Sequence, residues 1–375
     1  IIGGLSLFSF IIIIALLLYY FLRIKPLQRQ VDFENAKKSQ SIAAFNSYIQ
    51  NYPKAENSEE ARQIRNQLIF DSISRINTIE AYHFFIENYP KAKQIAIAKE
   101  KIEQLQFHKI PISTFRGNAK RNYYGNKAPS ELKEIWKFNL GSGRSFAYGK
   151  MYTWYGAGWT GQPLLVVEDS ATFLIQGAFD YHLRKINALT GEVIWKYKFD
   201  DILKGTGSIW INRNAENEDE KYIVMQGSRR GEGLSSSAKH IPSFRGVSYT
   251  SGKELWRLNS KKTRSYSRDV DGSALTIGDT AYIGLENGIF TVFDPNPSHQ
   301  KERDGMMQPY ISNEVLLYDE KDIASHGGNL VTEASATLLN GKIYVATGSG
   351  HVYGYNIDKR TIDWDFYIGA DLDGT

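Results

Sequence analysis

The order of apolar and polar residues divides the chain into three parts, and the first is a long apolar segment. Residues 1–22 contain no charged side chain and include the run FIIIIALLLYYFL. At a rise of about 1.5 Å per residue, a helix of this length spans a membrane core of about 30 Å. Aromatic residues at 19–21 precede Arg23 and Lys25, the order of an interfacial belt followed by basic anchors. The segment is predicted to be a retained transmembrane anchor, because a cleaved signal peptide has a shorter apolar region.

The second part, residues 31–107, is helical in its apolar spacing and repeats every 37 residues. The sequence AFNSYIQNYPKA at 44–55 returns as AYHFFIENYPKA at 81–92. Pro53 and Pro90 are expected to end the first helix of each repeat, because proline cannot continue the hydrogen-bond ladder. The pattern resembles tetratricopeptide-like helix pairs, whose usual period is about 34 residues. A peptide-binding groove and a spacer that holds the next part off the membrane are both open, and the small number of repeats favours the spacer.

The third part, from about residue 130, is built of strand–turn–strand units in which apolar and polar residues alternate. Leu183–Phe199 reads LRKINALTGEVIWKYKF, with Thr-Gly at the turn and Trp195 on the second strand. Alternation suits a half-buried strand, and Thr-Gly supplies the positive-φ position of a tight hairpin. The other units lie at Phe244–Asn259, Ile289–Asp319 and Val352–Ile368. The unit at Ile289–Asp319 is the most degenerate, and Leu317 is expected there at the position that tryptophan occupies in the first unit.

A second pattern opens each unit with a polar residue, a small residue and the start of a strand. Five segments share it: Thr160-Gly161-Gln162, Thr206-Gly207-Ser208, Asp271-Gly272-Ser273, Glu333-Ala334-Ser335 and Asp373-Gly374-Thr375. Their unequal spacing indicates loops of variable length on a constant unit of four antiparallel strands, which is typical of propeller blades. The fold class predicted is therefore mainly β, a β-propeller of four-stranded blades over residues 131–375. About four blades are present, so the propeller is expected to be incomplete in this chain.

The recurring pattern, strand-[A/S]-x-x-[T/S]-G-[E/K]-x-[L/I]-W, resembles the repeat of pyrroloquinoline-quinone-like β-propellers. The match covers about residues 112–375. That superfamily holds quinoprotein alcohol dehydrogenases and non-catalytic relatives of the BamB type, which belong to the outer-membrane assembly machine. The resemblance implies the fold and leaves function open, because turn glycines and packing tryptophans are structural. Trp195 and Trp256 are expected to be mostly buried between blades.

Composition narrows the functional classes. The chain has no cysteine, which excludes disulfides, thiolate metal sites and c-type haem attachment. The resembled dehydrogenases commonly use a vicinal cysteine disulfide and a calcium site, and neither can be traced in this sequence. The formal net charge of +4 lies wholly before residue 111, so the propeller is neutral and no nucleic-acid partner is expected. No cofactor is predicted, and enzymatic activity is not favoured.

Three segments between these elements are predicted to be irregular. Residues 108–130 are rich in Gly, Asn, Pro and basic residues and are predicted to be a linker. Arg121 and its basic neighbours there could meet a phosphate, but a solvated linker is favoured. The insertions at 212–221, which is charged, and 228–240, which is Gly/Ser-rich and basic, are predicted to be mobile loops. Either insertion could contact a partner.

The candidate binding residues are Gln162, Asp271, Glu333 and Asp373, each at the opening of a predicted innermost strand. Polar groups there can face the water of a central channel, so the ring is either a binding funnel or the hydrated end of the blades. The two Asp-x-Asp-Gly sequences around Asp271 and Asp373 resemble fragments of a calcium loop. A full loop needs further oxygen ligands and a later Glu, so no metal-binding or catalytic residue is predicted.

Together these features predict a membrane-anchored envelope scaffold that binds other proteins, with outer-membrane protein assembly as a candidate process. The expected partners are the membrane, through the N-terminal helix, and envelope proteins. The predicted location is the inner membrane, single-pass, with the soluble part in the periplasm. This orientation follows the resemblance, whereas the basic residues after the span favour a cytoplasmic C-terminal side. The alternative function is a pyrroloquinoline-quinone-dependent dehydrogenase whose active site is completed beyond residue 375.

Overall fold

The structure, a computed structural model, describes residues 2–374 apart from residues 107, 124, 126, 127, 148, 169 and 170. Residue 107, the predicted end of the helical repeats, and Thr375 of the last blade opening lie outside the described residues. The chain forms two compact units, residues 1–108 and residues 109–375.

The first unit begins with one long helix. Helix α1 (Ile2–Tyr19) continues through a five-residue π-helix (Tyr20–Ile24) into α2 (Lys25–Ser39). Its N-terminal part has a mean hydropathy of 2.0, and by length and composition the helix can cross a membrane. Such a helix near the N-terminus is a sign of a membrane anchor or of a signal sequence. Retention as an inner-membrane anchor stays a prediction.

Two helix pairs complete the first unit: α3 (Ile42–Asn51) with α4 (Ser58–Ile76), and α5 (Ile79–Asn88) with α6 (Ile95–Gln106). Each helix of the second pair begins 37 residues after its counterpart, as the sequence repeat predicts. Repeated positions form the core, since Ala61 and Ala98 are fully buried, as are Phe45 and Tyr82. Small alanines allow the paired helices to approach closely. The assignment to tetratricopeptide-like repeats stays a prediction.

The second unit consists of antiparallel sheets. It opens with β1 (Lys109–Ile112) and a separate hairpin of β2 (Ser142–Ala147) and β3 (Lys150–Tyr155). Four larger sheets follow. The first contains β4–β7 (Leu164–Glu168, Ala171–Gly177, His182–Asn187, Val193–Lys198) and, as a fifth strand, β1, which pairs antiparallel with β4 and lies within the predicted linker. The other three have four strands each: β8–β11 (Ser208–Ile211, Tyr222–Gly227, Phe244–Ser248, Glu254–Leu258), β12–β14 with β17 (Leu275–Ile277, Thr280–Leu285, Ile289–Asp294, Tyr310–Leu316), and β18–β21 (Thr337–Leu339, Lys342–Ala346, His351–Asn356, Thr361–Tyr367). The connections contain hairpin β15–β16 (Lys301–Arg303, Met306–Gln308) and helices α7 (Glu218–Lys221) and α8 (Glu320–His326).

Apart from β1, hydrogen-bonded neighbours within each of these four sheets follow chain order, so each sheet contains a four-stranded meander of the kind that forms a propeller blade. The tryptophans join consecutive blades as the sequence predicts. The indole N–H groups of Trp195 and Trp256 donate to the carbonyls of Tyr249 and Pro295 in the next blade, each at 2.8 Å. The turn residue Gly252 has φ +74°, and a Cβ there would lie 2.8 Å from the ring of Trp195. Glycine at this turn therefore provides both the backbone conformation and the space for the tryptophan.

The third blade departs from the sequence prediction at its tryptophan position. In the second and fourth blades the residue opposite Gly246 or Gly354 is tryptophan, just before a β-bulge. The corresponding residue of the third blade is Asn313, which is paired with Val292. The assignment of Leu317 to this position is wrong, because hairpin β15–β16 lengthens the connection and shifts the count along the sequence. The Asn313 amide performs the same task, donating to the Arg360 carbonyl of the next blade at 2.7 Å.

One segment connects the first strands of all four blades. Residues 113–123, called the axial segment below, form hydrogen bonds at or just before each of these strands. The contacts are Arg116 N–H to Gln162 Oε1 at 2.8 Å, Ile209 N–H to Ser113 O at 2.8 Å, Thr114 Oγ1–H to Ala274 O at 3.1 Å and Leu338 N–H to Ala119 O at 2.9 Å. Four strands that reach one segment surround it, which is the radial arrangement of a β-propeller-like fold.

The solvated position predicted for Arg121 is wrong, because the side chain is only 3% exposed. Its guanidinium donates to the carbonyls of Ala336 at 2.9 Å and Ser273 at 3.2 Å, and to the Thr114 hydroxyl at 2.6 Å. Burial lowers the pKa of Arg121 to about 10. The acceptors replace the water that the guanidinium loses, as buried polar groups require.

The two insertions predicted as mobile loops are held by contacts. Residues 212–221 end in the short helix α7. In residues 228–240, Arg229 forms an ion pair with Asp269 at 2.7 Å, and Arg268 donates to two carbonyls of the loop at 2.6 and 3.1 Å. Both tethers come from residues some distance along the chain, so the composition of the loop does not show them.

Candidate functional site

The blade openings and the turns between second and third strands lie at the same end of the propeller, because neighbouring strands run in opposite directions. They surround a cavity of about 890 Å³, called the channel-mouth cavity below. Its charged lining residues are Lys204, Arg229, Arg230, Asp269, Asp271, Glu286, Glu333, Asp371 and Asp373. Six carboxyl groups thus face three cationic groups.

The structure brings together three of the four residues that the sequence singled out. Asp271, Glu333 and Asp373 all line the channel-mouth cavity. Gln162 has a different environment, because its amide oxygen accepts the backbone N–H of Arg116. Gln162 therefore helps to hold the axial segment, and its side chain is committed to that contact.

Sequence reasoning missed Glu286, Lys204 and Arg229. Glu286 precedes the Asn-Gly turn that joins β13 to β14, and Lys204 lies two residues before the opening of the second blade. A signal was present for Glu286, since the turn between second and third strands must lie at the same end as the opening of the first strand. Arg229 belongs to the insertion that was predicted to be mobile.

Two ion pairs cross the cavity. The Lys204 ammonium pairs with Asp271, and both side chains are buried. Burial alone would lower the pKa of Lys204, but Asp271, Glu286 and Asp269 raise it above its ordinary value. The second pair joins Arg229 to Asp269 at 2.7 Å. Lys204 is therefore held in its charged form by the neighbouring acidic residues.

The remaining carboxylates raise one another's pKa. Burial, and then Asp271, raise the pKa of Glu333 to about 7. Burial and the same neighbour raise the pKa of Glu286 well above its ordinary value, although the Ser267 hydroxyl donates to its Oε2 at 2.5 Å. Two oxygens, Glu286 Oε1 and Asp271 Oδ1, are buried and have no hydrogen-bond donor among the described residues. These acceptors could receive donors from a bound group.

A small cation could bind where three of these carboxylates meet. One oxygen from each of Asp271, Glu286 and Glu333 lies within 4.8 Å of the other two. The Lys204 ammonium already contacts Asp271, however, and would repel a metal ion. The two predicted fragments of a calcium loop do not assemble, since Asp269 pairs with Arg229, and Asp371 accepts the Asn329 amide at 3.0 Å.

Part of the cavity lining is aromatic. Hairpin β2–β3 contributes Phe146 and Trp154, and Trp159 follows it in the chain. The ring centroids of Trp154 and Trp159 lie 5.9 Å apart. The Lys204 ammonium lies 5.6 Å from the centroid of Trp159, within the range of a cation–π interaction. Trp159 nevertheless remains 67% exposed, so much of its surface is accessible to a ligand.

No protein-family model matches the chain, and no curated protein matches it. Solved structures that resemble it include a quinohaemoprotein alcohol dehydrogenase from Comamonas testosteroni, with 14% identity over 70% of this chain and 42% of that one, at a TM-score of 0.46. A europium-containing methanol dehydrogenase shows 13% identity over 64% and 45% of the two chains, at a TM-score of 0.37. BamB from Moraxella catarrhalis shows 11% identity over 61% of this chain and 71% of that one, at a TM-score of 0.35. The chain thus spans less than half the length of either dehydrogenase, and its structural neighbours are quinoprotein dehydrogenases and BamB.

Proposed function

We propose that the chain is a membrane-anchored scaffold of the bacterial envelope whose propeller binds other envelope proteins. Narrower parts of the proposal are a single inner-membrane span, a periplasmic soluble part and a role in outer-membrane protein assembly. The observation that carries the proposal is the channel-mouth cavity, which is lined by Asp271 and Glu333 from two blade openings and by the exposed Trp159. Rigidly placed aromatic residues flanked by polar groups are typical anchors of protein recognition.

The cavity does not fit the cofactor of the resembled dehydrogenases. Pyrroloquinoline quinone is a tricarboxylate, and here it would meet six carboxylates and three cationic groups. Lys204 and Arg229 already pair with Asp271 and Asp269. Anionic ligands would therefore be repelled at this end of the propeller, and this charge balance favours the scaffold over the dehydrogenase.

Site-specific photo-cross-linking tests the proposal. A photo-reactive amino acid is placed at Trp159 of the full chain in Gram-negative cells, and cross-linked proteins are identified by mass spectrometry. The matched control position is Asp279, which is exposed at the turn between β12 and β13. We expect a defined set of envelope proteins from Trp159 and not from Asp279. Equal capture of the same proteins at both positions would contradict binding at the cavity.

Two further measurements examine the location and the redox alternative. The chain has no cysteine, so one cysteine at the exposed Lys359 can be labelled with a membrane-impermeant maleimide. Labelling of intact spheroplasts supports a periplasmic propeller, whereas labelling only after lysis places it in the cytoplasm. The purified full chain is then incubated with pyrroloquinoline quinone and calcium, and dye reduction by alcohols is measured. Stoichiometric cofactor binding with turnover would overturn the scaffold function.

A further inference from the structure

The channel-mouth cavity contains buried carboxylate oxygens to which no described residue donates a hydrogen bond. Glu286 and Asp271 are 2% and 8% exposed, both line the cavity, and each has one carboxylate oxygen without a donor among the described residues. A buried acceptor without a donor is unfavourable, and more so when it is charged. These oxygens are therefore prepared for a ligand that brings N–H or O–H donors.

The charge of the surroundings selects a cationic donor. Lys204 and Arg229 each pair with one aspartate, and Glu286, Glu333 and the pair Asp371 and Asp373 add further carboxyl groups, which repel one another when ionised. A neutral donor would satisfy the lone pairs and leave the repulsion among these carboxylates in place. A cation donates charge-assisted hydrogen bonds to these lone pairs and also reduces the repulsion among the carboxylates.

The size and aromatic wall of the cavity favour an organic cation over a metal ion. A volume of about 890 Å³ is in the range of sites for small organic ligands and peptide side chains. Calcium takes six to eight oxygen ligands, and an aromatic wall contributes none. Planar guanidinium groups, by contrast, stack on aromatic rings and donate in a fork that matches carboxylates.

We infer that the channel-mouth cavity binds an arginine side chain presented by a partner protein, with Glu286, Asp271 and the neighbouring Glu333 accepting its guanidinium and Trp159 packing against it. This inference rests on the proposed function and adds the chemistry of the partner. These residues come from different parts of the propeller, namely the turn before β14, the openings of the third and fourth blades and the segment after β3. Recognition would therefore depend on the assembled propeller and not on one loop.

The inference is tested with short peptides and the full chain in detergent. The probes are acetyl-Gly-Arg-Gly-amide and its citrulline counterpart, which has nearly the same shape but no charge, and binding is measured by titration calorimetry. We expect the citrulline peptide to bind at least about tenfold more weakly than the arginine peptide, because a charge-assisted hydrogen-bonded pair becomes a neutral one. Equal binding of the two peptides would overturn the inference, as would binding of calcium chloride with no binding of the arginine peptide.

Variants of the chain locate the site. Glu286→Gln is expected to weaken the arginine peptide about tenfold, while Glu302→Gln, an exposed glutamate on β15, leaves its affinity unchanged. Thermal unfolding shows whether Glu286→Gln still folds. Trp159→Ala provides a second variant that should preserve folding, because this side chain is 67% exposed. Unchanged affinity in both Trp159→Ala and a folded Glu286→Gln would overturn the assignment.

The inference and the proposed function can fail separately. If envelope proteins cross-link at Trp159 but Glu286→Gln and Glu333→Gln do not reduce the cross-links, the arginine site is wrong and the scaffold function stands. If the arginine peptide binds at the cavity but no envelope protein is captured, the scaffold function is wrong. The peptide result then describes the chemistry of the site alone.

Discussion

The inter-blade tryptophans make the fold testable at a single residue, Trp256. Its side chain is 2% exposed, packs against Phe244 and Phe293 at ring-centroid distances of 5.8 and 5.7 Å, and donates to the Pro295 carbonyl. Replacing it with alanine removes a large apolar surface from the contact between the second and third blades. It also leaves a carbonyl without its donor.

The expected loss follows from burial. A buried tryptophan covers about 200 Å² of mostly apolar surface, and at about 25 cal/mol per Å² its removal costs about 5 kcal/mol before the cavity relaxes. Measured truncations of large aromatic residues in cores cost about 3–5 kcal/mol, and we expect Trp256→Ala to lie in this range. Trp256→Phe retains the ring packing and loses mainly the N–H donor, which is worth about 1–2 kcal/mol.

Urea unfolding of the full chain in detergent, followed by intrinsic tryptophan fluorescence, measures these losses. All seven tryptophans lie at or after residue 136, so the signal reports the propeller and not the helical unit. The matched control is Trp364→Ala, at the equivalent position of the fourth blade, where the side chain is 42% exposed. We expect this control to cost less than half as much as Trp256→Ala. A cost below about 1 kcal/mol for Trp256→Ala, or one equal to the control, would refute the docking role.

Two further predictions concern the axial segment and the last blade. Arg121→Met is expected to lower the free energy of unfolding by about 3 kcal/mol, because it leaves several buried acceptors without a donor. The control Lys120→Met, at an exposed neighbouring residue, is expected to lower it by less than about 0.5 kcal/mol. Equal losses for the two variants in the same urea assay would contradict a structural role for the buried Arg121. Burial alone would lower the pKa of His351, but its hydrogen bonds to Asp365 at 2.7 Å and Asp322 at 3.0 Å raise it. A histidine whose pKa is raised in the folded state contributes its full stabilisation at pH values below its unfolded-state pKa of about 6.5. This stabilisation is lost as the pH rises through the folded-state pKa. The stability of the wild type should therefore fall above about pH 6.5 more steeply than that of His351→Gln, and parallel pH profiles would show that the contacts of His351 do not favour its charged form.

The features that were predictable from sequence are those that local chemistry specifies. In the first and second blades, the alternating strands, the Thr-Gly or Ser-Gly turn and the tryptophan after it lie within about 20 residues of one another, so a single unit contains the whole signal. Gly252, for example, is required by both its own φ and the ring of Trp195. The helical repeat was visible for the same reason, since each helix pair is contained within one period.

What the sequence could not show depends on distant partners. Arg121 is buried by carbonyls of Ser273 and Ala336, which lie more than 150 residues away, so its neighbours in sequence indicate only a polar linker. Asn313 replaces tryptophan in a blade whose inserted hairpin conceals the register. In the cavity, Asp271 was recognisable from its repeated position, whereas Lys204 gains its role only through the fold.

Buried polar groups are treated in opposite ways by the axial segment and by the channel-mouth cavity, and this contrast supports the proposed binding site. At the axial segment, a buried cation is matched by acceptors, and Arg121 makes hydrogen bonds with each of its three guanidinium nitrogens. At the channel mouth, Glu286 and Asp271 each keep one oxygen without a donor among the described residues, and burial, followed by the charge of Asp271, raises the pKa of Glu286. Folding stability alone would not maintain such an arrangement, because leucine-sized apolar groups or added donors would relieve the repulsion. Departures from local consistency of this kind are expected at functional sites. The residues of the channel-mouth cavity are therefore the ones that the proposed ligand would explain, and those of the axial segment are explained by the fold.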